Sequence, residues 1–141
     1  MSINQLAIDL REAGELEEAE ALFRELVSTR QQLLEPDDFQ IGRALGGLAK
    51  TLEAAGKLEE GVTYGQLALD HRHRYEGDKA WITNLERLDL ARILHKLNRT
   101  TEALTHLTDL ERSIQSIEDP DDDDRQLLED ARTLRHSIQT G

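Results

Sequence analysis

Three residues suited to the left-handed backbone of a helix stop, Gly14, Gly56 and Asn98, stand 42 residues apart in sequence. The same offset carries Leu6-Ala7 onto Leu48-Ala49 and onto Leu90-Ala91. It carries Leu16-Glu17-Glu18-Ala19 onto Leu58-Glu59-Glu60-Gly61 and, more loosely, onto Thr100-Thr101-Glu102-Ala103. Pro36 and Pro120 lie two periods apart. A unit of this length cannot bury an apolar face by itself, so the pattern demands a tandem array whose units stack on one another.

Each unit reads as a helical hairpin. Ser2 with Gln5 and Asp37 with Gln40 form capping-box patterns, and Asp78 and Asp121 are N-cap candidates. These starts predict inner helices over 3–13, 38–55, 79–97 and 122–139, and outer helices over 16–34, 58–76 and 100–118. Ala19, Leu22, Phe23, Leu26, Val27, Leu33 and Leu34 recur at helical spacing, as do Leu107, Leu110, Ile114 and Ile117. No stretch alternates as a strand would, so the expected class is all-α. The last helix breaks the period, because the offset from Leu90-Ala91 lands on Arg132-Thr133. Leu127, Leu128, Ala131, Leu134 and Ile138 still form one stripe, as expected of a helix that caps the array.

Composition narrows the function. The 141 residues suit one domain, with repeats over about 2–36, 37–77 and 78–119 and a capping helix over about 121–139. A net charge of −12 repels phosphate and anionic lipid, which argues against nucleic-acid and membrane-surface partners. No apolar run reaches the length of a membrane span, and the acidic N-terminal region does not read as a signal peptide, so a cytoplasmic location is expected. The absence of cysteine removes disulfides, thiolate metal sites and cysteine nucleophiles.

The stretches "LAIDLREAGELEEAEALFREL" and "LAKTLEAAGKLEEGVTYGQLAL" resemble the tetratricopeptide repeat. The match lies in Ala7, Gly14, Ala19 and Phe23 of the first unit: a small inner residue, a glycine turn, then Ala followed by an aromatic. The 42-residue unit and the linker residues Leu34, Pro36 and Asp37 resemble the kinesin-light-chain type of repeat. Glu35, Asp38 and Phe39 depart from that linker, and "EGDKAW" keeps only Gly77. Gly61 and Gly65 stand where the family prefers Ala and an aromatic, so the ring is expected from Tyr64 instead. The third unit has Leu97-Asn98-Arg99-Thr100 in place of the glycine turn. The resemblance covers roughly residues 3 to 118. It implies an α-solenoid coiled as a right-handed superhelix, with three hairpins and a C-terminal capping helix.

Sites with chemistry of their own are weak. "GRALGGLAKT" has Gly42 and Gly47 at phosphate-loop separation, but Leu48-Ala49 intervene before Lys50-Thr51, and the segment sits in a helical register. "DPDDDDRQ" lacks the glycine that a calcium loop needs, so Asp121 to Asp124 read as an N-cap and an acidic first turn. His71 and His73 point to different faces of one helix, and no three ligands share a face. No spacing marks a Ser-His-Asp triad. No catalytic residue, metal or cofactor is expected.

What remains is the surface that the family uses to hold peptides. The family register places Asn4, Ile8, Arg11 and Glu12 on the concave face, with Arg43, Gly46, Lys50 and Glu53 from the second unit. From the third come Leu85, Leu88, Arg92, His95 and Lys96. Independently of the family, 43, 46, 50 and 53 share one helix face. Gly46-Gly47 stands where light-chain repeats often carry two asparagines, which implies a groove floor of bare backbone; replacing both by Ala is expected to stabilise the fold. The five-residue clamp that grips a C-terminal carboxylate in some family members is not reproduced. Its positions hold Asn4, Ile8, Gly47, Leu85 and Asp89.

Arg11, Arg43, Lys50, Arg92 and Lys96 form a basic track suited to an acidic peptide, or they merely pair with neighbouring Glu. The expected function is a non-enzymatic adaptor or scaffold that binds a protein or peptide segment, as a monomer or weak homodimer. The alternatives are a docking or regulatory subunit of a larger enzyme or signalling protein, or a self-associating module. The chain reads as a whole adaptor or as a fragment of a longer protein.

Overall fold

The computed structural model describes residues 2–141. These form seven α-helices and no strand: α1 (Ile3–Glu12), α2 (Leu16–Leu33), α3 (Phe39–Ala54), α4 (Leu58–Glu76), α5 (Trp81–Lys96), α6 (Thr100–Gln115) and α7 (Asp122–Thr140). They follow one another as the hairpins α1–α2, α3–α4 and α5–α6, with α7 last. This is the all-α, tetratricopeptide-like helical solenoid expected from the repeat.

The three stops are built alike. Gly14, Gly56 and Asn98 have φ of 84°, 77° and 59°. At each, the next residue donates a backbone hydrogen bond five residues back: Glu15 to Leu10, Lys57 to Leu52 and Arg99 to Leu94, all at 2.9 Å. This bond satisfies a carbonyl that the helix end would otherwise leave bare. Asparagine tolerates that backbone better than other residues with a side chain, which is how the third unit keeps the turn without glycine.

The starts depart from the sequence reading twice. Asp38, not Asp37, caps α3, its carboxylate accepting from the Gln40 N–H at 2.9 Å. Asp78 does not cap α5, which begins after Ala80 with no side-chain cap. The Asp78 carboxylate is taken instead by Arg87, at 2.5 Å. Ser2 caps α1 as expected, and Asp121 with Asp124 forms a reciprocal capping box on α7.

Contacts gather the chain into two compact units, one up to His71 and one from Arg72 on, with the division inside α4. In the first unit, α1 packs on α2 and α3, and α2 packs on α3. Phe23 is fully buried in a core with Ala7, Leu26, Ile41, Ala44, Leu48 and Leu52. Burying such a ring is worth about 1.5–3 kcal/mol. Tyr64 packs against this core, and the Arg24 guanidinium lies 5.6 Å from its ring centre, so Tyr64 does bring a ring to this unit. The outer edge carries a charge chain: Lys57 to Glu20 at 2.9 Å, Glu20 to Arg24 at 3.0 Å and Arg24 to Glu60 at 2.7 Å.

In the second unit, α5 packs on α6 and α7, and α6 packs on α7. Leu90, Leu94, Leu107, Leu110 and Ile114 are buried, as are Leu127, Ala131 and Ile138 of the last helix. A polar network is buried among them. Arg87 donates to Asn84 Oδ1 (2.7 Å) and to the Asp78 carbonyl (3.1 Å). Asn84 donates to Ser113 Oγ (3.0 Å), which donates to the same carbonyl (2.9 Å). Thr83 donates to the Gly77 carbonyl at 2.8 Å. The linker ahead of α5 is thus held by α5 and α6, with its buried polar groups satisfied.

Candidate functional site

The residues expected to bind a partner fall on two surfaces, one in each unit. In the first unit they come from α1 and α3. Arg43 and Lys50 are exposed, Ile8, Arg11 and Glu53 are half-buried, and Asn4 and Gly46 are buried. Asn4 Oδ1 faces the Arg30 guanidinium at 3.5 Å, and Arg30 also donates to the Gln40 carbonyl at 3.0 Å. Burial lowers the Arg30 pKa, the positive charge of Arg43 lowers it further, and Asp38 opposes both. Arg43 has no ion-pair partner among the described residues, so its charge is directed outward.

Gly47 does not leave a floor of open backbone. A Cβ built there would lie 2.3 Å from Phe23 Cε1 and 2.7 Å from Cζ, so the ring of Phe23 fills the space that glycine vacates. The Arg11 guanidinium carbon lies 6.0 Å from the centre of the same ring. The expectation that Ala is favourable at position 47 is therefore corrected: a methyl group has no room there. The resemblance to a phosphate loop also dissolves. "GRALGGLAKT" lies wholly within α3, and the buried Thr51 hydroxyl donates to the Gly47 carbonyl at 2.8 Å.

In the second unit, Leu85, Leu88 and Arg92 are brought together with Trp81 along one side of α5. Asp123, Gln126, Leu127 and Asp130 of α7 face them across a cleft of about 140 Å³. Leu88 is only 1% exposed and belongs to the floor, whereas Trp81 is 42% exposed. Arg92 is paired with Asp89 at 3.4 Å. His95 and Lys96 lie one turn further on and do not line the cleft. Trp81 and the α7 residues were missed from sequence, although both stripes have helical spacing: 81, 85, 88 and 92 on α5, and 123, 126, 127 and 130 on α7. The acidic run at the start of α7 reads in sequence as an N-cap and an acidic first turn, which says nothing of the cleft.

A larger polar cavity of about 480 Å³ lies in the same unit, lined by His73, Asp78, Arg87, Asp109, Arg112, Ser113 and Ser116. Its charges are answered internally. Arg87 is held by Asp78 and Asn84, Arg112 lies 3.6 Å from Asp109, and His73 lies 3.6 Å from Asp78. Among the described residues no group of three or more His, Asp or Glu is placed to hold a metal ion. None of the described helices is long and apolar enough to cross a membrane.

Comparison with known proteins agrees with this architecture. The family model described as tetratricopeptide repeat matches residues 1–74, just over half of the chain. No curated protein matches the sequence significantly. Among solved structures, BtubC (BKLC) from P. vanneervenii superposes with a TM-score of 0.79 at 19% identity, over 98% of this chain. This chain spans only 53% of that one. A Podosopora anserina protein with nearly identical, kinesin-light-chain TPR-like repeats gives 0.78 at 16% identity, over 98% of this chain and 67% of its own. The translocator chaperone SycD of Yersinia enterocolitica type III secretion gives 0.76 at 16% identity, over 98% and 81%. With its three hairpins, its repeated helix stops and the family match over the first 74 residues, the chain belongs to the tetratricopeptide-repeat family, in a fold of the kinesin-light-chain-like kind.

Proposed function

We propose that this chain is a protein-interaction module that holds a segment of another protein against α1 and α3, the first helices of its first two hairpins. The observation that carries the reading is Arg43. It is exposed on α3, has no ion-pair partner among the described residues, lies close enough to Arg30 to lower that group's pKa, and shares a helix face with Lys50. A cation left unanswered in a protein of net charge −12 is suited to a carboxylate brought by a partner. The first unit would therefore take an acidic segment, guided by field more than by depth. One fold neighbour is a chaperone by name, in keeping with a fold that engages other proteins.

The test is binding of capped acidic peptides to the intact chain as a function of charge. Replacing Arg43 and Lys50 by Glu should weaken that binding by about tenfold or more and flatten its salt dependence. Unchanged binding of the acidic peptides after this charge reversal would remove the proposed surface.

A further inference from the structure

The cleft between α5 and α7 has the opposite electrostatic character. Its apolar part is Trp81, Leu85, Leu88 and Leu127, and the carboxylates of Asp123 and Asp130 stand on its α7 side. Arg92 is the cation in its lining, and Asp89 answers that charge at 3.4 Å. Among the described residues neither Asp123 nor Asp130 forms an ion pair; Asp130 accepts only a neutral hydrogen bond from Gln126, at 3.0 Å. At about 140 Å³ the cleft is smaller than the roughly 300–1,000 Å³ of small-molecule sites. It has room for one aliphatic side chain. Trp81, 42% exposed, adds an indole that attracts cations to its face.

We propose that this cleft receives a partner segment in which an aliphatic side chain is flanked by arginine or lysine. The aliphatic group lies on Leu85, Leu88 and Leu127, and the flanking cations meet Asp123, Asp130 and the Trp81 ring. An acidic segment would instead bring its carboxylates against Asp123 and Asp130, where like charges are costly. This rests on the interaction-module reading and gives its second surface a ligand chemistry.

Trp81 is the chain's single tryptophan, so its emission reports on this cleft alone. The intact chain would be titrated with a capped peptide alternating Leu and Arg, with the same peptide carrying Glu for Arg, and with Ser for Leu. The expected result is a saturable emission change with the Leu/Arg peptide and affinities weaker by about tenfold or more for both counterparts. The combined variant Asp123→Asn/Asp130→Asn, its fold checked by circular dichroism, should lose about tenfold in affinity for the Leu/Arg peptide. Binding that survives this substitution is attraction to the acidic body as a whole and overturns the site. Equal or tighter binding of the Glu peptide at Trp81 overturns the sign while leaving the interaction-module reading standing. An emission unchanged by all three peptides overturns the cleft as a docking site, and the Arg43 and Lys50 experiment then decides the broader reading separately.

Discussion

A methyl group on Gly47 would lie 2.3 Å from Phe23 Cε1, well inside the contact distance of two carbon atoms. Glycine in a helix interior costs about 0.5–1 kcal/mol relative to alanine, so Gly47→Ala would stabilise an isolated α3. The Phe23 ring cannot swing clear, since it is fully buried in the first unit's core and Arg11 lies close to it. Overpacking of this kind costs about 1–3 kcal/mol, which exceeds the gain in propensity. Gly47→Ala should therefore lower stability by about 1 kcal/mol in urea unfolding. Combined with Phe23→Leu it should cost less than the two single losses added together. A more stable Gly47→Ala protein would show that the ring has somewhere else to go.

The start of α3 separates two adjacent aspartates. Asp38 accepts from the Gln40 N–H at 2.9 Å, while Asp37 is exposed and outside the cap. Asp38→Ala should cost about 1 kcal/mol, the usual loss for an N-cap, and Asp37→Ala close to nothing. Thermal denaturation of the two variants, compared side by side, measures the difference. Equal losses would place the cap elsewhere.

The contrast between those aspartates shows what sequence could and could not reveal. The period fixed the helices to within a few residues because each stop needs a left-handed backbone, and only Gly14, Gly56 and Asn98 supply it at that spacing. Caps are chosen by which carboxylate reaches an N–H, and in Asp37-Asp38 both residues satisfy the same pattern. Asp78 was drawn away from α5 by Arg87, nine residues on, a tertiary partner that no local rule contains. The two proposed surfaces were legible as helix faces through Arg43, Lys50, Leu85 and Arg92. Their character was not, since it depends on what stands opposite: Phe23 against Gly47, Asp89 beside Arg92, and Asp123 and Asp130 across from Trp81.

Arg87 and Asp78 form an unequal pair, with side chains 6% and 52% exposed. Removing the carboxylate leaves Arg87 bonded to Asn84 Oδ1 and to the Asp78 carbonyl, both of which remain. Removing the guanidinium leaves the buried Asn84 Oδ1 without its donor, at about 1–3 kcal/mol, and takes away the packing of a buried stem, while Ser113 Oγ still donates to the Asp78 carbonyl. Arg87→Ala should therefore cost about 2–3 kcal/mol, and Asp78→Ala, which leaves the guanidinium bonded to two acceptors and removes a half-exposed carboxylate, about 1 kcal/mol. Urea unfolding followed by far-ultraviolet circular dichroism gives both values. The reverse order would mean that the exposed partner carries the network.

Glu20 gives the first unit a pH dependence of known sign. Its carboxyl is held below the usual 4.5, first by the hydrogen bond from Lys57 and then by Arg24, with burial opposing both. A carboxylate whose pKa falls on folding contributes its stability in full above the unfolded value, and loses it as pH falls through the folded one. Lys57 and Arg24 are 52% and 37% exposed, so solvent screens the pair and the contribution is at most about 1 kcal/mol. Glu20→Gln should be less stable than the natural chain at pH 7 by up to that amount, and the two should converge as pH falls from about 5 toward 3. Adding about 1 M salt at pH 7 should narrow the gap in the same direction. Denaturation curves at about pH 7, 5, 4 and 3 span the carboxylate range and measure it, and a gap that stays constant down to about pH 3 would assign the loss to packing of the Glu20 stem, not to its charge.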